Sequence, residues 1–353
     1  MMGLLSNVNY KLQNKFNLSS YISISQKNRT DHLKRDINEA IFEMENHLFF
    51  LKKNLNLNQD ITFGLELEFE DANFIEVDKL LRKIVNTSNI FSWKVVPDTS
   101  VTKENSNNEI CGGEIVTPIL RDSYTTWNEV NKVCAMLKLL NANVDGLAGG
   151  HIHFGTQILG DNPKHWINLL KLWTVYEKII YRFSYGEKSF PRERIMSYAK
   201  PVAAEFYNVL KYIKDAEFNL KELIKILGSD SDQAINFSNV TDFDYKRDNT
   251  IEIRCPNMSL NPVVWQNNVN FFANLLLYCK SDNFNHELLD AKLKTYSEEE
   301  CNIENYQNLY YEEAMQLADL IFSNNKDRIY FLKQYHKCFN KEKENVKQKV
   351  LVR

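Results

Sequence analysis

Three short segments hold the residues best suited to chemistry, and they share one plan. In Gly150-His151-Ile152-His153-Phe154 two histidines stand one residue apart. Side chains alternate along a strand, so both imidazoles face one side while Ile152 and Phe154 face the other. Leu65-Glu66-Leu67-Glu68-Phe69 puts two carboxylates opposite apolar groups, and Thr250-Ile251-Glu252-Ile253-Arg254 puts a carboxylate and a guanidinium opposite two isoleucines. A fourth segment, Gly113-Glu114-Ile115-Val116-Thr117-Pro118, adds Glu114 on a strand closed by proline. Carboxylates of this kind bind magnesium, histidine completes a shell, and arginine neutralises phosphoryl oxygens.

Each segment alone has a plainer reading. Glu66 and Glu68 fit the wet face of a half-buried strand, Glu252 and Arg254 a surface ion pair, and Asp98 in Val96-Pro97-Asp98 a turn residue. Four strands with the same polar composition are harder to explain separately, and a common cation and phosphate site accounts for all of them. Other active-site classes find no support. The chain has no G-x-x-x-x-G-K-[ST], H-E-x-x-H, G-x-S-x-G or G-x-G-x-x-G, so any use of ATP is without a P-loop.

The elements that must position these residues follow from periodicity. Apolar residues recur at helical spacing from Asp31 to Leu55, which predicts an N-terminal helical extension with Asp31 as its cap. A strand over Ile61–Glu70, a helix over Val77–Val85, a strand over Ser92–Val96 and a polar loop over Thr102–Asn108 are expected next. Trp127–Leu140 reads as a helix before the histidine strand. Helices are expected over His165–Phe183, within Ala203–Ile226 and over Val263–Cys279, and the chain from Asp282 reads as helical with a solvated charged tail, Lys341–Arg353. Half-polar strands favour an antiparallel sheet backed by helices, since parallel strands are usually apolar on both faces. The expected class is α+β, with an extension over 1–58, a catalytic domain over 59–281 and a helical region over 282–353.

Composition bounds the rest. With 353 residues, 44% of them hydrophobic, a net charge of -3 and a pI near 6.2, the chain fits a soluble globular protein without the basic excess that nucleic acid demands. The cysteines are scattered with no C-x-x-C pair, no apolar run is long enough to span a bilayer, and Met1–Phe16 lacks a secretory apolar core. A cytoplasmic protein with reduced thiols and no membrane partner is expected.

In order along the chain, Phe63-Gly64-Leu65-Glu66-Leu67-Glu68-Phe69, Trp93 to Ser100, Gly113 to Pro118, Gly150 to His153 and Ile251-Glu252-Ile253-Arg254-Cys255-Pro256-Asn257 with Asn261-Pro262 resemble the amidoligase family of the glutamine synthetase and glutamate-cysteine ligase superfamily. The likeness runs over roughly Ile61 to Lys280. It implies a curved antiparallel sheet forming a funnel, with nucleotide entering one end and divalent cations held in the middle. By carry-over, Glu66, His151 and Glu252 hold the cation that bridges nucleotide phosphates, and Glu68 and Glu114 hold one near the substrate carboxylate. Arg254 stabilises the transferred phosphoryl group, His153 lies close to substrate or phosphate, and Asp98 sits where an amine loses its proton. Arg192-Glu193-Arg194 and Tyr198-Ala199-Lys200-Pro201 also resemble a family segment, which makes Arg194 and Lys200 candidates for anion binding.

The implied activity is an ATP- and magnesium-dependent carboxylate-amine ligase, with manganese as an alternative cation. Its acid is an amino acid, a peptide or a protein side chain, its second substrate is an amine, and an oligomer is compatible with the sequence. Two alternatives stay open: a phosphotransferase that stops at substrate phosphorylation, and a non-catalytic nucleotide- or metal-binding module.

Overall fold

A computed structural model describes residues 49–85, 92–213, 219–227, 230–240, 249–297 and 302–339. Strand β1 (Phe63–Asn73) leads into helix α1 (Phe74–Ile84), followed by β2 (Lys94–Val96), β3 (Lys103–Glu104) and β4 (Ile110–Val116). Helix α2 (Tyr124–Leu139) precedes β5 (Gly150–Gly155). Then come α3 (Pro163–Ser184), α4 (Ile195–Tyr198), α5 (Ala203–Ile213), α6 (Leu220–Leu227), β6 (Ile235–Asn236) and β7 (Thr250–Ile253). Helices α7 (Pro262–Lys280), α8 (His286–Lys294), α9 (Tyr311–Ile321) and α10 (Asn325–Tyr335) complete the described elements.

The strands form one open antiparallel sheet of seven, in the order β2-β4-β1-β5-β7-β6 with β3 also paired to β4. The α+β class expected from the half-polar strands is therefore present. Along β1, Phe63, Leu65, Leu67 and Phe69 are buried, and they join Ile115, Ile152, Phe154, Ile251 and Ile253 in a single core. That core runs on through Trp127 and Val130 of α2, Trp166 and Trp173 of α3 and Phe271 of α7. Burying one face of every central strand fixes the register, because a one-residue slip would turn the carboxylates inward.

Helix starts are set by local chemistry. The Asn73 side chain accepts from the backbone N–H groups of Ile75 and Glu76, and the Ser123 hydroxyl accepts from Thr126. Asn162-Pro163 and Asn261-Pro262 each pair an N-cap acceptor with a proline at the first helical position, where the missing N–H costs nothing. The Asn-Pro pair that resembles a family motif thus also starts α7.

Several expected elements differ. Residues 49–57 are irregular rather than the end of a helix, because their apolar groups are held from outside: Asp122 accepts the N–H groups of Leu55 and Leu57, and Gln266 exchanges hydrogen bonds with the Lys52 backbone. The rest of the expected extension, Asp31 to residue 48, lies outside the described residues, as does the tail Lys341–Arg353. The polar loop expected over Thr102–Asn108 contains β3, and Ile235–Asn236 forms β6 where no strand was expected. Two-residue strands are too short for a periodic pattern to reveal.

Candidate functional site

Register brings the polar positions together in staggered rows. Glu114 of β4 lies opposite Glu68 of β1, Glu66 of β1 opposite His151 of β5, and His153 of β5 opposite Glu252 of β7. Asn236 of β6 extends the last row. The Cβ atoms of directly opposed residues lie within about 5.5 Å, so acids from three strands and two imidazoles must meet.

Glu66 is the centre of this arrangement. Its Oε2 lies 3.0 Å from His151 Nδ1 and its Oε1 lies 2.9 Å from His153 Nε2. An ionised carboxylate only accepts, so both imidazoles donate to it. Burial pushes the Glu66 carboxyl up, but the hydrogen bonds and charge of His151 and His153 outweigh it and hold the group well below the usual carboxylate range. For His153, burial acts downward, yet the Glu66 hydrogen bond and the charges of Glu66 and Glu252 leave its basicity raised.

Glu252 is 3% exposed and sits 3.6 Å from His151 Nδ1 and 4.0 Å from His153 Nε2 through Oε1. Asn236 donates to its Oε2 at 2.8 Å, and Arg254 Nη1 donates to its Oε1 at 2.5 Å. Arg254 also donates from Nε to the Tyr198 carbonyl at 3.0 Å, so the guanidinium is oriented from both sides. Glu68 accepts from the Gly149 N–H at 2.6 Å and comes within 3.3 Å of His151 Nε2. His151 Nε2 has no hydrogen bond.

These groups fit a hard divalent cation. Ligand atoms from Glu66, His153 and Glu252 all lie within 4.8 Å of one another. Glu114 is pushed up to about 8 by burial, with the negative charges of Glu66, Glu68, Asp98 and Glu252 adding to it. A buried carboxyl pushed up by its neighbours' negative charge is what a cation relieves. The trio that converges most tightly includes His153, which the resemblance sets beside substrate, whereas His151 is the more deeply buried of the two and reaches Glu66, Glu68 and Glu252.

The remaining sequence candidates lie at different distances from this cluster. Asp98 is half-buried in the turn after β2, where it accepts from the Ser100 N–H at 2.7 Å, and its charge acts on Glu114. Arg194 is exposed, in a left-handed backbone conformation with φ 54°. Lys200 pairs with Asp230 at 3.2 Å. Among the described residues neither Arg194 nor Lys200 has a hydrogen bond or ion pair to the cluster. Instead Arg192, two residues before Arg194, is 3% exposed and carries its charge inward. Sequence reasoning passed over it in favour of its exposed neighbour, although an arginine directly after Pro191 on a short loop is the signal that was there. Asn236 was also missed, because a two-residue strand has no periodicity to announce it.

A cleft of about 940 Å³ opens from the Glu66 and His153 end of the polar face, with Thr62, Thr117, Gln157, Asn249 and Thr250 in its wall. No lysine or arginine lines it among the described residues. Thr250 Oγ1 lies 3.2 Å from His153 Nδ1, which ties the cleft wall to the cluster.

A half-polar antiparallel sheet with acids, imidazoles and an arginine gathered on one face defines an α+β protein. A family model described as a putative amidoligase enzyme matches residues 59–276, and the chain belongs to that family. Membership implies an enzyme of the amidoligase kind, with a ligase-type function. A comparison with curated proteins found no match. No helix among the described residues is long and apolar enough to cross a membrane, and the five described cysteines are all buried.

Proposed function

We propose that this chain is an ATP- and magnesium-dependent carboxylate-amine ligase of the glutamine synthetase and glutamate-cysteine ligase superfamily, acting through an acyl phosphate. The observation that carries the reading is the convergence of Glu66, His153 and Glu252, the first two of which line the cleft, with Arg254 bonded to Glu252. Glu66 and Glu252 hold one divalent cation with help from His151 and His153, and Glu68 and Glu114 hold a second. When bound, these cations screen charge between a nucleotide's phosphates and an incoming carboxylate.

A carboxylate oxygen is a poor leaving group until phosphorylated. In the proposed reaction it attacks the γ-phosphorus of ATP, the bond to the β-phosphate oxygen breaks, and ADP leaves. Arg254, held by Glu252 and the Tyr198 carbonyl, presents fixed donors to the oxygens of the phosphoryl group in transfer. Asp98, near Glu114 beyond β2, attracts the ammonium form of the second substrate and takes its proton. The amine nitrogen then attacks the acyl carbon, phosphate leaves, and an amide forms. Arg194 and Lys200 are the candidates for binding nucleotide or substrate anions.

Incubation of the protein with ATP, Mg2+, candidate acids and hydroxylamine tests the proposal. Formation of ADP with a hydroxamate is expected. ADP formed together with a stable phosphorylated product would make it a phosphotransferase, and no magnesium-dependent ATP turnover with any acid tried would favour a binding module.

A further inference from the structure

Arg192 has no place in the ligand set described above, yet it is almost completely buried and permanently charged. Its backbone N–H donates to Asn257 Oδ1 at 2.8 Å. Its Nη1 donates to two carbonyls on the loop after β7, those of Arg254 at 3.1 Å and Pro256 at 2.8 Å. The opposite side of the guanidinium lies against Gly149, at the start of the histidine strand. A Cβ added at Gly149 would stand 2.8 Å from Arg192 Cζ, 2.9 Å from its Nη2 and 3.0 Å from His151 Nε2. The guanidinium and the imidazole flank one glycine, and only a residue without a side chain leaves room for both.

Glu68 closes the group. It receives the Gly149 N–H on one oxygen and approaches His151 Nε2 with the other. Burial lowers the basicity of Arg192, and the Glu68 charge opposes that effect. Arg254, the other guanidinium here, is already committed to Glu252. Arg192 thus places a positive charge against Gly149, whose N–H Glu68 accepts, while holding the loop that carries Arg254.

We infer that Arg192 is a positioning residue for the cation centre: it joins the loop after β7 to the start of β5, and so sets His151 and Glu68 against Glu66 and Glu252. The inference rests on the cation-binding reading above. Its prediction has a sign that charge alone does not give. Removing a positive charge beside a cation site tightens cation binding by simple electrostatics. Removing a positioning residue weakens it, and partners behind metal ligands typically change affinity by about 10–100-fold.

The test is Mn2+ binding by calorimetry to the full chain and to R192M, R192K, G149A and the R192M/G149A double variant, with metal-free thermal unfolding of each. We expect R192M and G149A each to weaken Mn2+ binding by about tenfold or more. R192K should recover only part of the loss, because an ammonium can donate to the two carbonyls but presents no planar group to pack against Gly149. The double variant should lose less than the two single losses multiplied, since the added methyl no longer has a guanidinium to displace and only its contact with His151 Nε2 remains. Unchanged or tighter binding in R192M and G149A overturns the inference. So do losses that multiply in the double variant and follow the loss of thermal stability, which is what a merely structural residue gives. If R192M does not fold, R192K and G149A decide between the same outcomes. A native chain that fails to bind Mn2+ is a different result, and it overturns the cation reading itself.

Discussion

Glu114 is the residue where the charge of the site is most directly measurable. Burial and four neighbouring carboxylates push it up to about 8, while an unfolded chain returns it to its ordinary value of 4.5. Between those values the folded protein holds a proton that the unfolded chain has lost, so stability falls as pH rises through this window. His153, raised on folding, acts in the same direction as pH rises through its folded value. Glu66, lowered on folding, costs stability only when pH falls well into the acid range. Metal-free protein is therefore expected to lose stability between about pH 5 and 8. Glu114→Gln should remove most of that slope and raise stability at pH 8 by on the order of 2 kcal/mol. Urea midpoints measured in chelator across this range check it, and an unchanged slope in the variant would show that Glu114 is not the group responsible. Arg254 gives a second prediction at this scale. Its replacement by lysine keeps the charge but loses the orientation set by Glu252 and Tyr198, so turnover should fall by about a hundredfold while ATP binding changes only a few-fold. Equal losses in kcat and in ATP affinity would make Arg254 a structural partner of Glu252 instead.

Strands are where the sequence was most legible. The period of two along Leu65–Phe69, His151–Phe154 and Ile251–Arg254 separates site from core without any knowledge of partners, because each strand keeps apolar side chains on one face and polar ones on the other. What it could not supply was the register that sets Glu68 against Glu114 and His153 against Glu252, since pairing depends on strands far apart in the chain. Arg192 stayed hidden for a related reason: its partners are backbone carbonyls and a glycine, which leave no mark in side-chain patterns. The glycine pair before the histidines has the clearest consequence for an element. A Cβ on Gly150 would meet Trp265 Cη2 of α7 at 2.7 Å and the Asn257 carbonyl at 3.3 Å. Gly150→Ala should therefore push β5 away from α7, costing about 1–3 kcal/mol of stability and weakening cation binding as His151 moves. Urea unfolding and Mn2+ calorimetry measure the two effects. A variant as stable as the native chain would mean that Trp265 moves aside freely, and the proposed coupling of α7 to the histidine strand would fail.

The family match stops at residue 276, but the packing does not. Helices α9 and α10 lie on α3 and α7, and Phe331 of α10 stacks with Phe183 of α3 and Phe271 of α7 at ring distances of 5.1 Å. Gln334, fully buried, donates from Nε2 to the Phe183 carbonyl and to Asn268 Oδ1, and accepts from Asn267. Lys337 donates to the carbonyls of Arg182 and Gly186, capping the end of α3 with the charge sign that a helix C-terminus favours. From sequence the region after Asp282 was recognisable as helical, but a helix pattern does not say which helices share a core. Because α3 and α7 also bury the core face of the sheet, their outer surfaces have to be covered for the site to hold its shape. The described C-terminal helices should therefore unfold together with the sheet in one transition. Gln334→Ala should lower the stability of the whole chain by about 1–3 kcal/mol, because it strands Asn267, Asn268 and a carbonyl in a buried setting. A chain ending at residue 281 should lose cooperative folding and Mn2+ binding together. Hydrogen exchange resolved by segment, compared with tryptophan fluorescence on the same urea series, tests this: α9 and α10 exchanging freely while the sheet stays protected would show an independent C-terminal unit.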